Sequence, residues 1–194
     1  MSVIEHPSRE SAFALLTEYT QSESLIKHAL AVEAAMRWYA RHLQQPEELW
    51  GVTGLLHDFD YEKFPNPTPE GHPYVGCRIL EETGYPEIIR VAIMGHAHYT
   101  GVARETLLAK GLFACDELSG LVTASVLVRP DKSIHNLTVE SVKKKMKDKA
   151  FARGVNRDDI RQGAVELGVE LETHIGNVIT ALQAVAPDLG LQGS

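Results

Sequence analysis

Apolar positions recur along this chain every three and four residues almost throughout, the spacing of helices that each bury one stripe. Leu25, Ala29, Val32, Met36 and Leu43 share such a stripe, and Thr20 with Glu23 matches a capping box that would start the helix. Pro46 followed by Glu47 and Glu48 predicts the next start, because proline suits the first turn and acids suit the positive end of the helix dipole. That helix runs toward Leu55-Leu56-His57-Asp58. Pro65, Pro67, Pro69, Gly71 and Pro73 make 64–73 an irregular loop. Residues 74–83 read as a helix stopped by Gly84, and Pro86-Glu87 opens another that extends to about His96. Residues 105–128 form a long apolar segment ended by Pro130. Its last part, 122–128, has the Val and Thr content of a strand, but continuity with 112–121 favours helix. Helices over 141–153, 157–167 and 171–184 complete the set.

The expected fold class is therefore all-α. A chain of 194 residues is enough for one well-buried core, and no repeat, low-complexity tract or long linker divides it. One domain over 1–194 is expected, its chemistry-bearing core at about 20–130 and C-terminal helices over about 138–186 packed on it. Composition changes this picture little, with 44% hydrophobic and 23% charged residues. No run approaches the roughly 20 apolar residues that cross a bilayer. The first residues lack the basic-then-apolar order of a secretory signal, and two cysteines fit a reducing compartment, so a cytoplasmic protein is expected. A net charge of −7 argues against broad binding to nucleic acid or anionic membrane. The run from Lys143 to Lys149 is the local exception, and a solvated helix face is its simplest reading. The pattern fixes no oligomeric state.

Nine histidines are more than such a composition needs, and their placement is informative. His28 lies on the buried stripe with Leu25 and Val32, where a single histidine is ordinarily a satisfied core residue. His57-Asp58 can simply cap a helix end, and His96 shares a stripe with Ile89, Ala92 and Ile93. Asp116 is harder to explain that way. It sits among residues that would bury most of a helix surface, with Leu112 four before it and Gly120 four after. An unpaired buried carboxylate costs several kcal/mol or gives up its charge. Few basic residues lie nearby in sequence, so a cation shared with His28, His57 and Asp58 is the partner the pattern suggests.

A histidine on an early helix, a His-Asp doublet ending the next and a later isolated aspartate resemble the H…HD…D arrangement of the HD superfamily. The segment from Gly54 to Asp60 is similar to that family's apolar-apolar-His-Asp stretch. His72-Pro73-Tyr-Val-Gly76-Cys-Arg-Ile79-Leu80 is similar to the His-Pro-x-x-Gly-x-x-Ile-Leu stretch of its HDIG and HD-GYP branches. The resemblance implies a helical bundle with a metal site in the core between helices, holding one or two divalent transition metal ions. His28, His57, Asp58 and Asp116 would bind the first, and Asp58, His72 and His96 the second. Such ligands suit Fe, Mn, Co, Ni or Zn. His98 would be a substitute ligand or a supporting neighbour. Three residues after the doublet aspartate, where many members carry Lys, Glu or His, this chain has Tyr61, followed by Glu62 and Lys63. Gly84-Tyr85-Pro86 spells the name of one branch, but a helix stop and start explains it better.

The resemblance implies a metal-dependent phosphohydrolase acting on a nucleotide or other small phosphoester through metal-activated water. Asp58, Tyr61 and Lys63 are the candidate catalytic residues, with Arg129 and the lysine helix as further sources of charge and the 60–73 loop as a cover. Two alternatives stand beside this. One is a di-iron oxygenase cleaving a C–C or C–P bond with the same ligands. The other is a metal-stabilised sensor or binding module without catalysis, marked by a filled coordination shell and no adjoining pocket.

Overall fold

The computed structural model describes residues 8–193, and within them the fold is all-α. Its helices are α1 (Arg9–Tyr19), α2 (Glu23–His42), α3 (Glu47–Leu56), α4 (Tyr74–Glu82), α5 (Glu87–His96) and α6 (Leu107–Leu127). They continue with α7 (Val139–Lys147), α8 (Arg157–Leu167), α9 (Leu171–Gln183) and α10 (Ala186–Leu189). Among the described residues the nearest thing to a sheet is one isolated bridge between Ser133 and Gln192. No described helix is long and apolar enough to cross a membrane.

Helix α6 is the axis of the molecule. It packs against α2, α5, α7, α8 and α9, and Leu112, Ala114, Leu118, Leu121, Val122 and Val126 are all inaccessible to solvent. A helix covered on nearly every side is apolar all round. That accounts for Val122 and Val126 within the helix, while Leu127 and Val128 at the end of the segment stay exposed. Close approach to α8 depends on Gly163, where a Cβ would lie 2.6 Å from the Cα of Ala114.

α2 and α3 form a helical hairpin across a short connection. At Gly54 a Cβ would stand only 3.0 Å from the Val32 carbonyl oxygen, so the two backbones nearly touch there. This approach sets the end of α3 against the first half of α2, and with it His57 against His28.

Two sequence expectations differ from the structure, and one helix was not expected at all. Thr20 does not cap α2. It closes α1, and its hydroxyl donates to the Phe59 carbonyl at 2.9 Å. Ser22 makes no side-chain cap on α2; Glu62 instead accepts the N–H groups of Gln21 and Ser22. The helix expected over 141–153 ends at Lys147, because the Asp148 carboxylate takes the N–H groups of Ala150 and Phe151 and turns the chain. Finally, α1 left no readable stripe, since Ala12 and Leu16 are its only buried residues.

His174 on α9 is a core histidine with both ring nitrogens used. Nε2–H donates to the Ala114 carbonyl at 2.8 Å, which leaves Nδ1 to accept the Tyr39 hydroxyl. Burial pushes its pKa down to about 4. The folded state then resists a proton that the unfolded chain accepts below pH 6.5, so stability is full above that pH and falls as pH drops toward 4. Between about pH 7 and 4.5 this residue alone should cost about 2 kcal/mol. Urea unfolding at both pH values should show that difference between wild type and His174→Gln, and equal losses in the two would exclude it.

Candidate metal centre

Five segments converge at one point beside α6. His28 comes from the first half of α2, His57 and Asp58 from the end of α3, and His72 from the close of the proline-rich loop. His96 is the last residue of α5, and Asp116 lies mid-way along α6. Helices ending at the site explain its composition, since both His57 and His96 project where regular backbone stops.

The six side chains form two groups, His28–His57–Asp116 and Asp58–His72–His96, each with ligand atoms close enough to share one ion. In the first, Asp116 Oδ1 is 3.0 Å from His28 Nε2 and 3.4 Å from His57 Nε2. In the second, Asp58 Oδ1 is 3.2 Å from His72 Nε2 and 3.4 Å from His96 Nε2. The other Asp58 oxygen turns back to the first group, 3.4 Å from His57 Nε2. One carboxylate therefore spans both.

The donor chemistry fits a metal. His57 Nδ1 lies 2.8 Å from the Gly54 carbonyl, His96 Nδ1 meets the Ile93 carbonyl, and His72 Nδ1 sits 2.7 Å from Asp60. Each of those partners only accepts, so the ring hydrogen is on Nδ1 and Nε2 offers a lone pair. Those lone pairs face carboxylate oxygens, an arrangement of acceptor against acceptor that a cation or proton must reconcile. His57 Nε2 is fully buried and has no hydrogen-bond partner. The electrostatics agree. Burial opposes a charged His57, yet the Asp58 and Asp116 carboxylates outweigh it and hold its pKa well above the usual imidazole value. Burial likewise works against charge on Asp116, and His57 and His28 overrule it and push the carboxylate well below its usual range. The field at the centre of the cluster favours positive charge.

A family model for the HD domain matches residues 25–121, half of the chain, from just before His28 to just beyond Asp116. The chain belongs to the HD domain family. No curated protein and no solved structure matches it. HD domains bind divalent metals, and the two groups are where this one could hold them.

The HD cluster opens on a cavity of about 520 Å³. Of the residues expected beyond the ligands, Tyr61 reaches it, its ring edge-on to His72 with centroids 5.5 Å apart. His98 also lines it, with Nε2 3.1 Å from the Asp159 carboxylate and not among the six clustered residues. Lys63 does not line it. Its ammonium donates to the Glu18 carbonyl and lies 4.2 Å from the Tyr19 ring centroid. Arg129 is paired with Asp131, and neither it nor the lysines of α7 line the cavity. The expected cover, the 60–73 loop, contributes only Tyr61 and His72, while Ala97–Tyr99 and the 154–159 segment supply much of the wall.

Two neighbours of the cluster escaped the sequence reading. Glu117 lines the cavity, and burial, then the Asp116 charge, pushes its carboxyl up to about 7. Asp60 is buried behind His72, holding its Nδ1 with one oxygen and the Gly76 N–H, at 2.7 Å, with the other. A Cβ on residue 76 would stand 2.7 Å from the Asp60 carboxyl carbon, so the glycine of the His-Pro-x-x-Gly stretch makes room for this carboxylate. A signal was present in the second aspartate of His57-Asp58-Phe59-Asp60, two residues beyond the doublet. Asp60→Asn keeps the shape and removes the charge that would make His72 a stronger metal ligand. Metal affinity at the second group should fall about 10- to 100-fold. A metal titration followed by calorimetry checks this, and an unchanged isotherm would show Asp60 to be packing alone.

Proposed function

We propose that this HD domain is a metal-dependent phosphohydrolase of small phosphoesters, with a divalent ion at each of its two ligand groups. The observation that carries the reading is Asp58, whose two oxygens address separate groups at 3.2 and 3.4 Å beside an open cavity. Bound divalent metals supply an activated water and hold phosphate oxygens. The chain's own part is to fix that geometry. Asp60 and the carbonyls of Gly54 and Ile93 lock three imidazoles in one tautomer. The Tyr99 hydroxyl donates to the His72 carbonyl at 2.7 Å and steadies the same loop. Tyr61, partly exposed at the cavity wall, is placed to donate a hydrogen bond to a phosphate oxygen. Among the described residues the lining includes no lysine or arginine, so a single phosphoryl group suits it better than a polyphosphate chain.

The lack of cations in the described lining is also the feature that favours a second reading, an oxygenase using iron at the same residues, since a substrate cleaved at a C–C bond needs no counter-charge for phosphate. The adjoining cavity speaks against a closed, purely stabilising site. The deciding experiment is anaerobic turnover of a phosphoester panel with Mn, Co, Ni, Fe or Zn restored singly. Hydrolysis without oxygen or reductant is expected. No turnover by any metal form, with oxygen uptake by the iron form on another substrate, would give the site to the oxygenase.

A further inference from the structure

A second hollow, of about 660 Å³, lies directly beside the metal centre and shares two of its walls, His28 and Gly120. Gly120 leaves that shared wall without a side chain. A Cβ there would have nothing nearer than Val155 at 3.8 Å and His28 at 4.0 Å. From that point the hollow follows α6 past Thr123 and Ala124 to Leu127, with Leu189 and Leu191 on the facing side. About seven residues of helix make this run about 10 Å long. At its far lip Leu127 is 52% exposed and its neighbour Val128 57%.

The lining selects a kind of occupant. Along α6 and the facing segment of chain its walls are leucine, alanine, glycine and threonine, with Ser22, Glu23, Ser24 and Lys27 at the start of α2. Apart from His28 the described lining offers no ring on which a nucleobase would stack. The cation at the rim, Lys27, is paired with Glu23 at 2.6 Å, so the described groove presents no free positive charge for a second phosphate. We propose that this groove holds the aliphatic chain of a monoalkyl phosphate whose phosphoryl group sits at the metal centre. The proposal rests on the phosphoester reading and narrows it from small phosphoesters in general to those with an apolar alcohol part. In the reaction the ester P–O bond breaks and the oxygen of water forms the new one. A proton from that water goes to the departing alkoxide, giving a free alcohol and inorganic phosphate.

Calorimetry on the full chain loaded with manganese tests the groove, using ethyl-, butyl- and octylphosphonate, octan-1-ol and adenosine monophosphate as probes. The phosphonates cannot be hydrolysed, so the measurement does not depend on turnover. Affinity should rise about two- to fourfold per added methylene until the groove is filled. Ala124→Trp, which fills the groove, and Leu127→Glu, which charges its exposed lip, should each flatten that rise. The second variant keeps the test alive if the first does not fold. Binding of octan-1-ol with no gain from the phosphonate head would keep the aliphatic groove and sink the phosphoester reading beneath it. Ethylphosphonate binding with no gain from a longer chain, or adenosine monophosphate binding more tightly than octylphosphonate, would overturn the groove and leave that reading intact. Silence from every probe would overturn both.

Discussion

Asp58→Ala is expected to leave the protein without bound metal and to lower phosphoester turnover by roughly a thousandfold or more. No other side chain in the cluster faces both groups, so its removal takes a ligand from each at once. The loss is also electrostatic. Burial works against a charged His57, and Asp58 is the largest influence that holds its pKa up all the same. Without Asp58 the centre keeps one carboxylate against four imidazoles. Elemental analysis of protein purified without added metal gives the stoichiometry, and the rate on a good substrate gives the second number. Wild-type metal content in this variant would show that Asp58 is not a shared ligand.

The second large effect comes from taking the two groups apart. His96→Ala removes a ligand from the second group alone and should cost one equivalent of metal and about a hundredfold in rate, on the order of 3 kcal/mol, while the fold stays close to wild type. Asp116→Ala acts on the first group. It leaves His57 buried with its carbonyl-bound Nδ1 and no carboxylate beyond Asp58, so metal and thermal stability should fall together. Melting curves with and without a chelator separate the contributions. A chelated wild type should melt near the untreated Asp116→Ala variant if the carboxylate acts mainly through the metal. Loss of all bound metal from both variants would mean a single ion and a single group.

How much of this was legible in the sequence depended on where each side chain's environment comes from. Helices with a full stripe were readable to within a residue or two, as at Glu87–His96 and Arg157–Leu167, because caps and periodicity are local. Thr20 was misread because a local match to a capping box competed with a distant acceptor, the Phe59 carbonyl. The end of α7 was missed because a single aspartate side chain, Asp148, reclaims two backbone N–H groups that the apolar pattern would assign to a helix. At the site, residue types and order pointed to six residues that the fold does bring together. Lys63 shows the limit of that approach. It is adjacent in sequence to Tyr61 and Glu62, yet its side chain leaves the cavity for the end of α1. Asp60 shows the reverse limit, since the second aspartate of His57-Asp58-Phe59-Asp60 gains its partners, His72 Nδ1 and the Gly76 N–H, only when the loop carrying His72 folds back over it.

The cluster draws on residues 28 to 116, from five segments that meet only when α2, α3, α5 and α6 have all docked. None of the pairs within either group is local in sequence; even the nearest, Asp58 and His72, is separated by the proline-rich loop. A folding nucleus formed from a few of these helices would therefore hold an incomplete coordination sphere. Metal then bears little on the speed at which the chain reaches its native state, and acts instead on the time it remains there. Loaded protein should owe its persistence to a slow rate of opening, so that protease resistance and half-life at elevated temperature follow metal occupancy more closely than refolding rate does.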